Sequence, residues 1–336
     1  MIALCNTLSF NDQRVLHKAV PANGSVGWFL PHQSSEMSTA IPDAVDTTAS
    51  RSARRVLART PTDGEVLALV SGGHDSLSAM AVAHRSSRVD LSGIVHVNTG
   101  IGVPQTRAFI KERAETLGLD YYEVGVPCDE PGQVHEYRRP HEEYPALIRK
   151  YGLPGPGAHK YMYWNLKEKP LRRFLNERSE PITLVSGVRR GESDRRMEHV
   201  DEEGISEYLG YTTVSPLVDF TGLDVRRYRT ALDLPMNPVK ERLEISGECL
   251  CGAFATRGEL RMIRLFYPRV YRRILCLEAM VGAHTATDDG PEKSYGEWGH
   301  NRLKDREQAA RQDDQQMLLC DACESSCRGD ENRDCG

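Results

Sequence analysis

The apolar run Val66-Leu67-Ala68-Leu69-Val70 stops at Ser71-Gly72-Gly73-His74-Asp75-Ser76 and resumes as Leu77-Ser78-Ala79-Met80-Ala81-Val82-Ala83. An apolar run, two glycines and a second apolar run read as strand, tight loop, helix. Glycines let the backbone approach a ligand and gather successive N–H groups into one concavity. A helix starting near Ser76 adds its free N–H groups and the positive end of its dipole. A nucleotide phosphate is the natural guest. The spacing is neither the GxxxxGK[ST] loop nor the GxGxxG fingerprint. Its fourth position is His74, so the loop holds no permanent positive charge of its own.

A chain of 336 residues has room for one large domain or two ordinary ones. Its net charge of -5 argues against a protein held to nucleic acid by global charge. No apolar stretch is long enough to span a bilayer, and no charged-then-apolar leader opens the chain. The expectation is a cytoplasmic protein without a membrane partner, in which nine cysteines point to metal or redox chemistry sooner than to disulfides.

Residues 1–60 read as a peripheral, partly disordered segment ending in a helix near 49–58, with Met37 as an alternative start. From Glu65 the pattern is α/β. Apolar runs at 65–70, 93–97 and 120–126 alternate with helical patterns at 76–86 and 104–118, Pro104 standing at a helix start. The stretch 127–158, rich in Pro, Gly and His, reads as a substrate-side insertion. A helix at 160–177 and a buried strand at 182–186 follow. Helical patterns recur at 222–233, 257–266, 268–281 and 301–317. The expected organisation is a nucleotide-binding α/β domain over 61–255 and a helical, cysteine-rich region over 256–336.

The loop Ser71–Ser76 resembles the SGGxDS pyrophosphate loop of the adenine-nucleotide alpha-hydrolase superfamily, which includes the PP-loop ATP pyrophosphatases. Four further segments, in order, resemble its phosphoadenosine phosphosulfate (PAPS) reductase-like branch. His96-Val97-Asn98-Thr99-Gly100 is similar to a strand ending in Thr-Gly ahead of a Pro-x-Thr helix start. Lys160 and Trp164-Asn165-Leu166-Lys167, ahead of Pro170-Leu171, are similar to the lysine before a Pro-Leu pair; seven apart, both lysines belong on one helix face. Gly187-Val188-Arg189-Arg190-Gly191-Glu192-Ser193-Asp194-Arg195-Arg196 resembles G-x-R-x-x-E-S-x-x-R. Arginine suits sulfate or phosphate because its planar fork makes two parallel charge-assisted bonds. Pro216-Leu217 with Phe220-Thr221 and Asp224-Val225 resembles Pro-Leu-x-x-Trp-Thr-x-x-Asp-Val, with Thr221 as a helix cap.

The resemblance implies an open, doubly wound, mostly parallel Rossmann-like sheet that binds an adenine nucleotide, ATP or PAPS. Ser71, Gly72, Gly73, His74, Ser76, Thr99, Gly100 and Gly187 would line the nucleotide, and Lys160, Lys167, Arg189 and Arg196 would neutralise its anionic end. Glu192 would orient one arginine. Two chemistries stay open: reduction of a sulfonucleotide to sulfite with a thioredoxin-like donor, or ATP pyrophosphatase and sulfurtransferase chemistry in which Asp75 helps place Mg2+. A nucleotide- and metal-binding subunit of a DNA or RNA sulfur-modification or defence complex is a third reading. Oligomeric state, a homodimer included, stays open.

Cys249 and Cys251 lie between Gly247 and Gly252, which lets both thiols turn toward one point. With Cys320 and Cys323, and Cys327 as an alternative, they would complete a four-thiolate site for zinc or a [4Fe-4S] cluster. Cys276 reads as a core residue. The terminal Asp334-Cys335-Gly336 matches part of the reductases' E-C-G-[LI]-H tail without its final hydrophobic residue and histidine, which leaves Cys335 a weak nucleophile candidate.

Overall fold

The computed structural model describes residues 41–42, 44–125, 137–191, 201, 203–255, 258–285 and 296–299. Six strands make one sheet: β1 (Glu65–Leu69), β2 (Leu91–Val97), β3 (Asp120–Val124), β4 (Ile182–Val185), β5 (Ile205–Tyr208) and β6 (Tyr211–Val214), in the order β3-β2-β1-β4-β6-β5. Every pair is parallel except β5 with β6. β4 is buried along its whole length and β2 nearly so, as parallel strands covered on both faces must be.

The helices are α1 (Thr47–Ala58), α2 (His74–His84), α3 (Pro104–Leu117), α4 (Tyr144–Tyr151), α5 (His159–Tyr163), α6 (Lys169–Asn176), α7 (Gly222–Ala231), α8 (Pro238–Leu243), α9 (Glu259–Phe266) and α10 (Pro268–Thr285). Pro104 opens α3, and Gly118 closes it in the left-handed conformation. One sheet face is covered by apolar residues of α1, α2, α3 and α7. The other face packs Leu67, Val95 and Leu184 against Leu171, Phe174 and Leu175 of α6. A third cluster joins Ile101 and Val103 to α4, α8, α9 and α10.

Three expectations change. The segment before residue 60 is not peripheral where it is described: Ile41, Val45, Ala49, Ala53, Val56 and Leu57 are buried in the main core, and Asp46 caps α1 through Thr48 N and Ala49 N at 2.8 and 3.1 Å. The boundary at 255 cuts through a core, because Leu250, Ala253 and Ala255 pack in one cluster with Ile263, Tyr267 and Ile274. The helix expected at 160–177 is a continuous run from His159 to Asn176 interrupted by a π-helical turn at Trp164–Glu168. The helix expected at 301–317 lies outside the described residues, as do residues 1–40 with Met37.

Candidate active site

From β1 the chain steps outward to β2 and β3, then crosses back to place β4 on the other side of β1. The strand order therefore reverses between β1 and β4, and ligands in open α/β sheets bind at the carboxyl ends of strands at such a point. Ala68 pairs with Val185, so the loop after β1 and the loop after β4 emerge side by side.

The first loop holds its shape through its own serines. Ser71 N–H donates to Ser76 Oγ at 3.2 Å, Gly73 N–H to Ser71 Oγ at 3.4 Å, and the Ser76 hydroxyl to the Gly73 carbonyl at 3.2 Å. Gly72 takes φ +79°, and a side chain there would meet Asn237 Nδ2 and Thr106 Cγ2 at 2.8 Å. Helix α2 starts at His74, two residues earlier than expected, and no side chain caps it. Its first N–H groups thus face the crevice with the positive end of the dipole.

Across the crevice Arg189 points at the loop. Its Nε and Nη2 donate to Asp75 Oδ1 and Oδ2 at 2.8 and 3.1 Å, a bidentate pair. That pair occupies one edge of the guanidinium and leaves the Nη1 edge for a further anion. Arg190 turns away instead, donating to Asp219 at 3.1 Å. Asp75, expected to place magnesium, has both oxygens on Arg189, so its carboxylate as positioned does not fit that cation and acts as a support for the arginine.

The cation that the loop lacks comes from α7. Arg229 is 7% exposed; its Nη2 donates to the carbonyls of Leu234 and Pro235, and its Nη1 finds no partner among the described residues. Burial, then Arg229 and Lys240, hold the His74 imidazole below its ordinary range. The sequence offers Arg226, Arg227 and Arg229 on one short helix, and nothing in it marks which of them turns inward.

Asn237, fully buried, was also not foreseen. Its Nδ2 donates to the Gly72 carbonyl at 3.1 Å, to Thr106 Oγ1 at 3.2 Å and to the Ser246 carbonyl at 3.0 Å. Segment 246–252 is further sewn to the β2–α3 loop by Val103 N–H to Gly247 O at 2.7 Å and Leu250 N–H to Ile101 O at 3.2 Å. Thr99, expected to touch the nucleotide, is fully buried and donates its hydroxyl to the Glu248 carbonyl at 2.8 Å, so it positions this segment. Gly100 takes φ +74° and donates its N–H to Asn98 Oδ1 at 2.9 Å.

The two lysines part company. Lys160 is exposed, whereas Lys167 binds Glu248 at 2.7 Å and lines a cavity of about 190 Å³ with Met162, Tyr163, Cys249 and Cys251. The π turn between them breaks the seven-residue alignment that a regular helix would keep. Lys167 therefore stands at the thiols; Glu248 and the neighbouring Cys249 hold its ammonium above the usual lysine range in spite of burial.

Gly247 and Gly252 take φ +71° and +85°, and the turn brings both thiols to the same cavity. Cys251 is buried and Cys249 half-buried. Cys276, expected in the core, is half-buried on α10. Among the described residues no group of three His, Cys, Asp or Glu side chains is placed to hold a metal. Met162, Tyr163 and Lys167 share the cavity with the thiols, and the cysteines expected to complete a four-thiolate site lie outside the described residues. Glu192, Arg196, Cys320, Cys323, Cys327 and Cys335 lie outside the described residues.

Comparison with known proteins places the chain among relatives. A PAPS reductase of Vibrio cholerae is 29% identical over 152 residues, 44% of this chain and 53% of the relative. An adenosine 5'-phosphosulfate reductase of Salinibacter ruber is 40% identical over 72 residues, 21% of this chain and 27% of the relative. The chain spans about half the length, or less, of these curated relatives. A PAPS reductase from Candida auris, solved as a phosphate complex, superimposes with a TM-score of 0.39 at 16% identity, covering 57% of this chain and 83% of that one, a likeness too remote to bear on chemistry. The family model for the phosphoadenosine phosphosulfate reductase domain matches residues 65–278, from the first residue of β1 into α10 and across every site element above. The chain is a member of the phosphoadenosine phosphosulfate reductase domain family.

Proposed function

We propose that this protein binds an adenine sulfonucleotide in the crevice between β1 and β4 and reduces its sulfate to sulfite. One observation carries this reading: the glycine loop and Arg189 border the strand-order reversal together, with the uncapped start of α2 between them. The nucleotide phosphates lie on the Ser71–Ser76 loop, and the sulfate end meets the open edge of Arg189, with Arg229 adding charge behind the loop. Positioning and neutralisation of the anion supply most of the rate, since both act where charge moves onto the leaving oxygen. ATP pyrophosphatase chemistry is the reading to exclude. Asp75 supports it poorly, being engaged with Arg189.

The test sets sulfite release from PAPS beside pyrophosphate release from ATP on the full chain with a dithiol present. Sulfite alone is the expected result. Pyrophosphate alone overturns the reading in favour of a PP-loop pyrophosphatase, and binding with neither product makes the protein a nucleotide-binding subunit.

A further inference from the structure

The run from Tyr144 to Arg173 holds seven lysines and arginines and one carboxylate, Glu168, in a chain of net charge -5. It also carries Tyr151, Tyr161 and Trp164, none of which belongs to the crevice described above. The fold places these rings together. Tyr151 ends α4, Tyr161 stands in α5, and their rings meet edge to face with centroids 4.7 Å apart. Trp164 follows Tyr161 by three positions, the spacing of neighbours on one helix face. Lys150 Nζ lies 5.1 Å from the centre of the Tyr151 ring, and Lys169 Nζ and the Arg172 guanidinium lie 5.9 and 5.5 Å from that of Trp164. Lys160 stands exposed beside Tyr161. Tyr151 and Tyr161 are 46% and 39% exposed, while the inner sides of the same segments bury Leu147, Ile148, Met162 and Leu166 in one cluster, so the outer rings sit on a packed base. The nearby carboxylates are engaged elsewhere: Glu142 is buried against Arg173, and Glu168 accepts from the Tyr208 hydroxyl at 3.3 Å.

We infer that the face built by Tyr151, Tyr161 and Trp164 binds single-stranded nucleic acid, its bases stacking on the rings and its phosphates pairing with Lys150, Lys160 and Arg172. A base set on a ring leaves its phosphate within reach of the cation beside that ring, so one nucleotide makes both contacts. Stacking needs unpaired bases, and a duplex gains only the charge attraction. The patch presents π faces and cations in place of the aliphatic bulk that a lipid surface takes up. An acidic protein segment would use the cations and leave the rings idle. The inference goes beyond the sulfonucleotide reading and does not rest on it.

The experiment titrates the full chain, without adenine nucleotide, with dye-labelled oligothymidylate and oligouridylate of about 12 nucleotides, a length such platforms cover. Anisotropy is read at several salt concentrations, beside a duplex and an abasic sugar–phosphate strand of the same length. At least one base-bearing strand is expected to bind roughly tenfold or more tighter than the duplex and the abasic strand. Tyr151→Ala and Tyr161→Ala should each weaken it roughly 5- to 100-fold, the worth of one stacked base. Lys150→Gln and Arg172→Gln should each lower the slope of log Kd against log salt by about 0.7, one phosphate contact on a single strand. PAPS binding to all four variants is expected to match wild type. The proposal is overturned if neither strand binds, if the abasic strand or the duplex binds as well, or if the ring variants bind the strand as wild type does. Displacement of the strand by polyglutamate of equal charge overturns it in favour of an acidic protein partner. The wild-type comparison of base-bearing with abasic strands needs no variant to fold, and decides alone if a variant loses PAPS as well. Failure of PAPS binding in the wild type leaves this result standing, and failure here leaves the nucleotide reading standing.

Discussion

A methyl group on Gly187 would lie 2.6 Å from the Asp75 carbonyl carbon and the Ser76 nitrogen, so the turn after β4 is pressed against the first backbone turn of α2. Gly187→Ala must move one of them. The expected cost is about 1–3 kcal/mol, the range for forced overpacking, with the anion site distorted: nucleotide affinity, read by calorimetry, should fall further than the melting temperature suggests. Arg189→Met should weaken binding of the sulfonucleotide roughly 10- to 100-fold, the worth of a charge-assisted hydrogen-bond pair. It also leaves Asp75 without its partner, so unchanged affinity would remove Arg189 from the site. At this scale the sequence is informative where a residue's role is local. Gly72 and Gly187 mark places that admit no side chain, and Arg189 stands at a strand end. The contacts of Lys167 and Thr99 with Glu248 are not legible, because the partners lie 81 and 149 positions apart, a distance over which spacing says nothing.

Helix α7 shows what local chemistry does determine. Thr221 Oγ1 accepts from Asp224 N–H at 3.1 Å while Asp224 Oδ2 accepts from Thr221 N–H at 2.9 Å, a reciprocal cap written into the Thr-x-x-Asp spacing. Asp224 Oδ1 also accepts from Asp46 N–H at 3.4 Å, which ties the start of α1 to the start of α7. Thr221→Ala should cost about 1 kcal/mol, read as a lower urea midpoint with an unchanged slope. The β5–β6 hairpin has no comparable signal. Its strands are four residues each at the sheet edge, β5 is never fully buried, and the two-residue turn is Leu209-Gly210 at φ +57° and +87°. Hairpin turns of that kind favour Asn-Gly, and a leucine in the left-handed region gives no warning of one. The π turn is equally silent in sequence, since its consequence lies in which way the lysines point and not in whether the segment is helical.

At the scale of the whole molecule, His96 and Glu142 are among the groups that shape the response to acid. His96 is fully buried, its Nδ1–H donating to the Val70 carbonyl at 3.0 Å, and burial above all holds it below its ordinary 6.5. A folded-state pKa depressed in this way contributes stability fully present above pH 6.5 and lost as pH falls below it, because the unfolded chain takes up the proton first. Glu142 acts lower. Burial would raise its carboxyl, but the Arg173 fork at 2.6 and 2.7 Å and the Arg139 N–H bring it to about 2 from 4.5. Its share is present above pH 4.5 and disappears toward pH 2. Urea midpoints should therefore be flat from pH 8 to 7, decline below 6.5 and decline again below 4.5; His96→Asn should reduce the first decline and leave the second. The architecture was legible from the alternation of apolar runs, because parallel strands covered on both faces leave an almost unbroken apolar record. Domain limits were not, since residues 41–58 and 258–281 complete cores whose other halves lie far away in sequence.

The amide of Asn237 touches the phosphate-loop carbonyl of Gly72 and the carbonyl of Ser246, which opens the cysteine segment, with no intervening residue. Whatever draws the loop toward a ligand therefore pulls on the ground beneath the thiols. Thermodynamic linkage makes that traffic two-way: a nucleotide that shifts the equilibrium of a reversible modification at Cys249 must bind with an affinity that changes, by the same factor, once that thiol is modified. Asn237→Ala would uncouple the two, so that nucleotide no longer changes the alkylation rate of Cys249.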